Sequence, residues 1–149
     1  MPENPAPRPS FGRALGETAR QLTKLHRRAL SEYGSDFPSW MLYTLLKEKG
    51  VPLRAEEIAA ELELRMDLAE PDTFPLLERA ATAGHITFRP DKPAAAVTLT
   101  EAGAAYFANL YAHARETTDR ATEGIDPVML DTALTVLLAV DERATARLR

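Results

Sequence analysis

Apolar residues recur at helical spacing over most of the chain, and the breaks between the runs divide it into six helical segments and one strand-like stretch. Phe11, Leu15, Ala19, Leu22, Leu25, Ala29 and Tyr33 lie three or four positions apart. That period predicts one long amphipathic helix over 11–33. Arg13, Arg20, Lys24, Arg27 and Arg28 take other positions of the same run. Gly34-Ser35-Asp36 stops it. Asp36 is a natural N-cap and Pro38 is tolerated in a first turn, so a second helix is expected over 37–49. Phe37, Trp40, Met41, Leu45 and Leu46 form its apolar set, and Gly50 ends it. Val51-Pro52-Leu53 is too short for an independent strand, but can lie as a third edge beside a later hairpin.

The centre of the chain runs from Arg54 to Gly103. Arg54-Ala55-Glu56-Glu57-Ile58-Ala59-Ala60-Glu61-Leu62 reads as a short amphipathic helix. A loop, Glu63 to Glu70, follows, about four residues longer than a tight helix-turn-helix turn. A further helix then runs from Pro71 to Ala83. His85-Ile86-Thr87-Phe88-Arg89 and Ala95-Ala96-Val97-Thr98-Leu99 read as two strands, separated by Pro90-Asp91-Lys92-Pro93. Leu99-Thr100-Glu101-Ala102-Gly103 then hands a strand over to a long helix, roughly 100–122, with Thr100 as N-cap and Phe107, Leu110, Tyr111 and Ala114 on one stripe. Gly124-Ile125-Asp126-Pro127 breaks that helix. Asp126 caps the last one, 127–148, and Pro127 starts it. Helix, helix, hairpin, helix is the plan of a winged helix-turn-helix.

The expected fold class is therefore mainly α with a small β-hairpin wing. The winged helix-turn-helix occupies 37–100, and helices 11–33, 100–122 and 127–148 flank it. These outer helices carry apolar stripes around Leu22, Leu25, Phe107, Leu110, Leu134 and Leu137 that call for a partner, so they are read as dimerisation helices of a homodimer. The chain of 149 residues has the length of one domain, placed at 11–149. Residues 1–10 contain four prolines and no apolar run, so they are expected to be a disordered tail and not a secretory signal. No run approaches the roughly 18 apolar residues of a membrane span, and cytoplasm is the default location.

Composition narrows the chemistry. There is no cysteine, which removes disulfides, thiolate metal sites and thiol redox sensing. His26, His85 and His113 have no metal-ligand spacing. There is no Gly-rich phosphate loop and no Gly-x-Ser-x-Gly turn. The expectation is a protein that is not an enzyme and needs no cofactor. The net charge of −4 is unevenly divided. Residues 54–103 hold five basic and ten acidic side chains, a net of −5, so the remainder carries +1. That is the wrong sign for a surface that replaces the counterions of DNA.

The chain resembles the MarR-type family of bacterial transcriptional regulators. Leu99-Thr100-Glu101-Ala102-Gly103 is similar to that family's Leu-Thr-x-x-Gly at the junction of wing and helix. Leu76-Leu77-Glu78-Arg79 through Gly84-His85-Ile86 resembles the end of its recognition helix, and Ile58-Ala59-Ala60-Glu61-Leu62 its first helix-turn-helix segment. The resemblance implies an obligate homodimer on a pseudo-palindromic operator. It also implies modulation by a small ligand, often an aromatic acid, bound between the dimer helices and the winged domain. Besides its long loop, the chain departs from the pattern in two places. The recognition helix opens with Glu70-Pro71-Asp72-Thr73-Phe74-Pro75, where the family presents Ser, Thr, Gln and Arg. The wing is short and lacks the family's Asp-x-Arg.

Double-stranded DNA asks for cations at phosphates and donors at base edges. Arg65, Arg79, Arg89 and Lys92 are the phosphate candidates, and Thr73 is the base-edge candidate. Glu70 and Asp72 suit a helix N-terminus by capping and by charge, while Pro75 removes a donor. Each of the four cations reads equally well as a solvated surface charge. His26, Trp40, Tyr43, Tyr106 and Tyr111 could line a pocket for a flat aromatic ligand, although core packing is the commoner use of such residues. Two functions stay open. One is a MarR-type regulator on DNA. The other is a winged-helix dimer that has lost sequence reading and acts as a ligand-binding or protein-interaction module.

Overall fold

A computed structural model describes residues 6–149. The element order is α1 (Phe11–Glu32), α2 (Phe37–Lys49), α3 (Ala55–Met66), α4 (Glu70–Thr82), β1 (Ile86–Thr87), β2 (Thr98–Leu99), α5 (Glu101–Asp119), a 3-10 turn (Arg120–Thr122) and α6 (Pro127–Arg147). Of the expected tail, residues 1–5 lie outside the described residues. Residues 6–9 form no regular element, and Ser10 caps α1 by accepting from the Arg13 amide at 3.3 Å. The other caps are local too. The Asp36 carboxylate accepts from the Ser39 amide at 2.9 Å, and the Asp126 carboxylate from the Val128 amide at 2.9 Å.

Two compact units are distinguishable. One ends at Thr118 and the other is Asp119–Arg149. The first holds the core. Leu42, Leu45 and Leu46 of α2 meet Ile58 and Leu62 of α3, Leu76 and Leu77 of α4, and Phe107 of α5. Ile86, Phe88 and Val97 close it from the wing side. A second cluster joins Ala29 and Leu30 of α1 to Leu110 and Ala114 of α5. Phe107 and Leu110 are thus spent inside the chain, at 6% and 0% exposure. That corrects their assignment to a seam between copies. The second unit is dominated by α6, in which no residue is buried.

The turn between α3 and α4 is shorter than the sequence suggested. The expected loop over Glu63–Glu70 shrinks to Asp67-Leu68-Ala69, because α3 continues to Met66. Glu63, Leu64, Arg65 and Met66 are all adequate helix formers. Asp67 then takes a left-handed conformation, φ 54°, which a short polar side chain tolerates. Its amide still bonds to the Glu63 carbonyl, and Leu68 packs against the core. Leu64, 83% exposed, is the residue that hides the helix from a pattern reading.

The hairpin is also shorter than expected. Only Ile86↔Leu99 and Thr87↔Thr98 pair, antiparallel. Beyond them, turns closed by Lys92 N–H to Arg89 C=O and Ala95 N–H to Lys92 C=O replace the ladder. Val97 instead bridges to Leu53 through a reciprocal pair of backbone bonds. Leu53 is therefore the third edge that its position allowed.

The junction of wing and α5 explains the Leu-Thr-x-x-Gly residues. Gly84 has φ 78° and turns the chain out of α4. The Thr100 amide bonds to the His85 carbonyl at 3.0 Å. The Thr100 hydroxyl donates to the Gly84 carbonyl at 2.6 Å and accepts from the Gly103 amide at 3.0 Å. One threonine thus caps α5 and locks it to the turn after α4. Gly103 follows because there is no room for anything larger. A Cβ built on it falls on the backbone carbonyl of His85.

Candidate nucleic-acid interface and ligand cavity

The solvent side of α4 follows from its buried side. Thr73, Leu76, Leu77 and Ala80 form the inward stripe at helical spacing. That leaves Glu70, Pro71, Asp72, Phe74, Pro75, Glu78, Arg79 and Thr82 exposed. Thr73 is only 3% exposed and its hydroxyl has no hydrogen-bond partner. The expectation that it reaches a base edge is corrected: it belongs to the buried stripe. Glu70 and Asp72 lie in the first turn, but no side chain caps the helix. Their contribution is to offset its positive end, not to bond to it.

Three of the four candidate cations already have carboxylate partners. Arg65 reaches Glu48 at 2.7 Å and Glu61 at 3.2 Å. The hydrogen bond to Glu48, ahead of other influences, pushes its guanidinium above the ordinary value. Arg79 lies 3.4 Å from Asp36. Burial pushes the Asp36 carboxyl up, but the Ser39 hydrogen bonds and Arg79 outweigh it and hold the group below its ordinary value. Arg89 pairs with Asp91 at 2.9 Å across the wing tip. Lys92, exposed on the same tip, has no ion pair among the described residues.

The aromatic set divides into two groups. His26, Trp40 and Tyr111 line a cavity of about 410 Å³ framed by α1, α2 and α5. Trp40 stacks parallel to Tyr111 at 5.8 Å, and His26 stands edge-on to Trp40 at 4.7 Å. Burial lowers the His26 pKa, which favours the neutral imidazole. Tyr43 and Tyr106 lie elsewhere. Tyr43 is 4% exposed and its hydroxyl shares a 2.8 Å hydrogen bond with His85 Nδ1. Burial, with a smaller contribution from Tyr106, pushes the Tyr43 phenol up to about 12. Tyr106 stacks on His85 at 4.3 Å and donates to the Tyr33 carbonyl at 2.9 Å. These two tyrosines fasten the wing junction and are absent from the cavity lining. Arg115, Thr118 and Thr23 line it instead. A signal for Arg115 was present: Tyr111, Ala114, Arg115 and Thr118 repeat at helical spacing on α5.

No protein-family model matches the sequence, and no curated protein matches it. Solved structures do. A MarR family protein from Bacillus stearothermophilus superimposes with a TM-score of 0.74 at 19% identity, over 91% of this chain and 93% of that one. A MarR family protein from Mycobacterium tuberculosis, solved in complex with DNA, gives 0.72 at 20% identity, over 89% and 98%. The chain has the MarR-type winged-helix fold. The reduced form of MarR from E. coli gives 0.68 at 15% identity, over 90% and 95%. In MarR-type terms α3 and α4 are the helix-turn-helix and the Ile86–Leu99 hairpin is the wing. Among the described residues no group of three or more His, Asp or Glu could hold a metal. No helix among them is long and apolar enough to cross a membrane.

Proposed function

We propose that the chain is a transcriptional regulator of the MarR type, a cytoplasmic homodimer that binds a pseudo-palindromic duplex and responds to a small aromatic ligand. One observation carries this reading: the fold is shared over about nine-tenths of both chains with a relative solved on DNA. In such a dimer α4 of each copy enters the major groove and the wing tips approach phosphates. The chemistry of α4 makes this a backbone-dominated contact. Its exposed side carries Glu70, Asp72 and Glu78 against Arg79, and Thr73 is withdrawn. Arg65, Arg79 and Arg89 must share or release their carboxylates before they replace counterions.

The salt dependence is therefore expected to be shallow, on the order of four released counterions per dimer rather than ten. Arg89→Ala and Lys92→Ala should weaken binding to all sequences alike and reduce that slope, because wing contacts position and do not specify. Selection from random duplexes at low salt, followed by titration at several salt concentrations, checks both statements. Enrichment of a palindrome is the expected result.

A second reading is favoured by the burial of Thr73 and the carboxylates beside it. The chain then keeps the fold and the dimer without reading sequence, and works as a ligand-binding or protein-interaction module. Recovery of no preferred sequence by a folded dimer would select this account.

For the ligand, the α1–α2–α5 cavity suits a flat aromatic carboxylate. Trp40 and Tyr111 offer ring faces, and Arg115 is the cationic residue of the lining. Trp40 is the only tryptophan, so titration with benzoate-type acids should change its emission and raise the thermal midpoint. An unchanged emission and midpoint across a panel of such acids would remove this part of the reading.

A further inference from the structure

The α1–α2–α5 cavity contains one titratable group to which no role has yet been given. His26 and Thr23 of α1 line it, with Trp40 of α2 and Tyr111, Arg115 and Thr118 of α5. The His26 ring is half-buried. It stands edge-on to Trp40 at 4.7 Å and to Phe37 at 6.1 Å. Neither of its nitrogens has a hydrogen-bond partner among the described residues, and the ring has no ion pair there. An imidazole at a cavity wall, bonded to nothing, is free to answer whatever enters.

Charge decides what that answer is. Burial holds the imidazole below its ordinary value of 6.5, so in the free protein at neutral pH it is uncharged. Nothing near it favours a proton. The α2 side chains against the ring, Trp40 and Phe37, do not titrate. From α5 come Tyr111 and the cationic Arg115. Arg27 of α1 lies across the Phe37 ring, 5.8 Å from its centroid. No carboxylate lines the cavity. An anionic ligand supplies the missing negative charge. Within roughly 4–6 Å an opposite charge favours the charged form of a titratable group, and it acts through space whichever ring nitrogen faces it.

We propose, on the reading of this cavity as an aromatic-carboxylate site, that the acid enters together with one proton, which His26 takes from solvent, so that the site responds to the undissociated acid and not to the anion alone. The carboxylate is then held between the Arg115 guanidinium and an imidazolium, with the aromatic body against Trp40 and Tyr111. Binding an anion with uptake of one proton is thermodynamically the binding of the neutral acid, so occupancy follows the product of anion and proton concentrations. The free imidazole titrates below 6.5 and the complexed one higher. Affinity therefore falls as pH rises through the interval between the two, and levels off above it.

The test titrates the full chain with benzoate and with benzyl alcohol at about pH 6, 7 and 8, following Trp40 emission. Benzoate should weaken as pH rises, at its steepest by up to about tenfold per pH unit. Benzyl alcohol brings no charge and should bind equally at all three. Calorimetry of the parent in two buffers of different protonation enthalpy should count about half to one proton taken up per benzoate. That count needs no variant. His26→Gln keeps a polar side chain but cannot take the proton, so its benzoate affinity should not change with pH. Benzoate affinity independent of pH in the parent, or an undiminished slope in His26→Gln, would overturn the proton uptake and leave the carboxylate site standing. No benzoate binding at any of these pH values would overturn both.

Discussion

Gly103→Ala is expected to lower the thermal midpoint by about 10 °C, the equivalent of roughly 3 kcal/mol in a chain of this size. The added methyl has to occupy the position of the His85 carbonyl carbon and oxygen, and backbone atoms cannot rotate aside as a side-chain tip can. Relief requires α5 to move away from the turn after α4. That would break the Thr100 bonds to Gly84 and His85 in the same step. Ala102→Ser, one residue earlier and exposed, should stay within about 0.5 kcal/mol of the parent. Thermal unfolding followed by circular dichroism at one fixed protein concentration makes the comparison. A Gly103→Ala midpoint indistinguishable from that of Ala102→Ser would show that the junction is loose.

The double variant Leu134→Glu, Leu137→Glu is expected to sediment as a monomer where the parent sediments as a dimer. These side chains are 53% and 40% exposed in a single chain. They lie on a 21-residue helix with no buried position, and a helix with such an apolar face gains its stability by packing. In a homodimer each copy would bury two new carboxylates, so dimer affinity should fall at least about a thousandfold, near 4 kcal/mol. A 16.4 kDa species for the parent itself at micromolar concentration would sink the dimer. With Phe107 and Leu110 committed to the chain's own core, α6 and the outer positions of α1 remain for such a contact.

Helix boundaries were the most legible part of the sequence, because caps act locally. Asp36, Thr100 and Asp126 do what their positions suggested. The errors arise where the local pattern is broken or a distant contact decides. The α3–α4 turn is short because α3 runs on to Met66, and the exposed Leu64 breaks the apolar pattern that would have shown it, while Leu68 packs against the core from the turn itself. The strands stop after two pairs because the backbone of Arg89 and Lys92 is taken up in the turns that close the tip, while Val97 bonds to Leu53 on the opposite edge. The aromatic residues of α2 part company for a similar reason. Trp40 turns toward His26 and Tyr111, and Tyr43 toward His85, as the packing of α1, α5 and the wing dictates. Thr73 is different. Its place in the stripe with Leu76, Leu77 and Ala80 was readable from spacing alone. An expectation about DNA chemistry displaced it.

Pro71 and Pro75 stand one turn apart on the exposed side of α4. Proline has no amide hydrogen, so the Pro71 carbonyl has no helical donor four residues on. Inside a helix that loss, with the clash of the ring against the same carbonyl, costs about 3 kcal/mol, and restriction of the chain before it folds offsets only part of it. Two residues with φ fixed near −65° leave the unfolded segment few conformations to lose, a gain of about 0.4–1 kcal/mol for each proline whose native geometry is compatible. In the folded helix two of the first six residues cannot rotate about φ, so its leading turns have few ways to deform in the free protein. A partner that docks against them, nucleic acid or otherwise, meets a surface whose disorder was removed during synthesis of the fold, and its affinity loses little to further ordering.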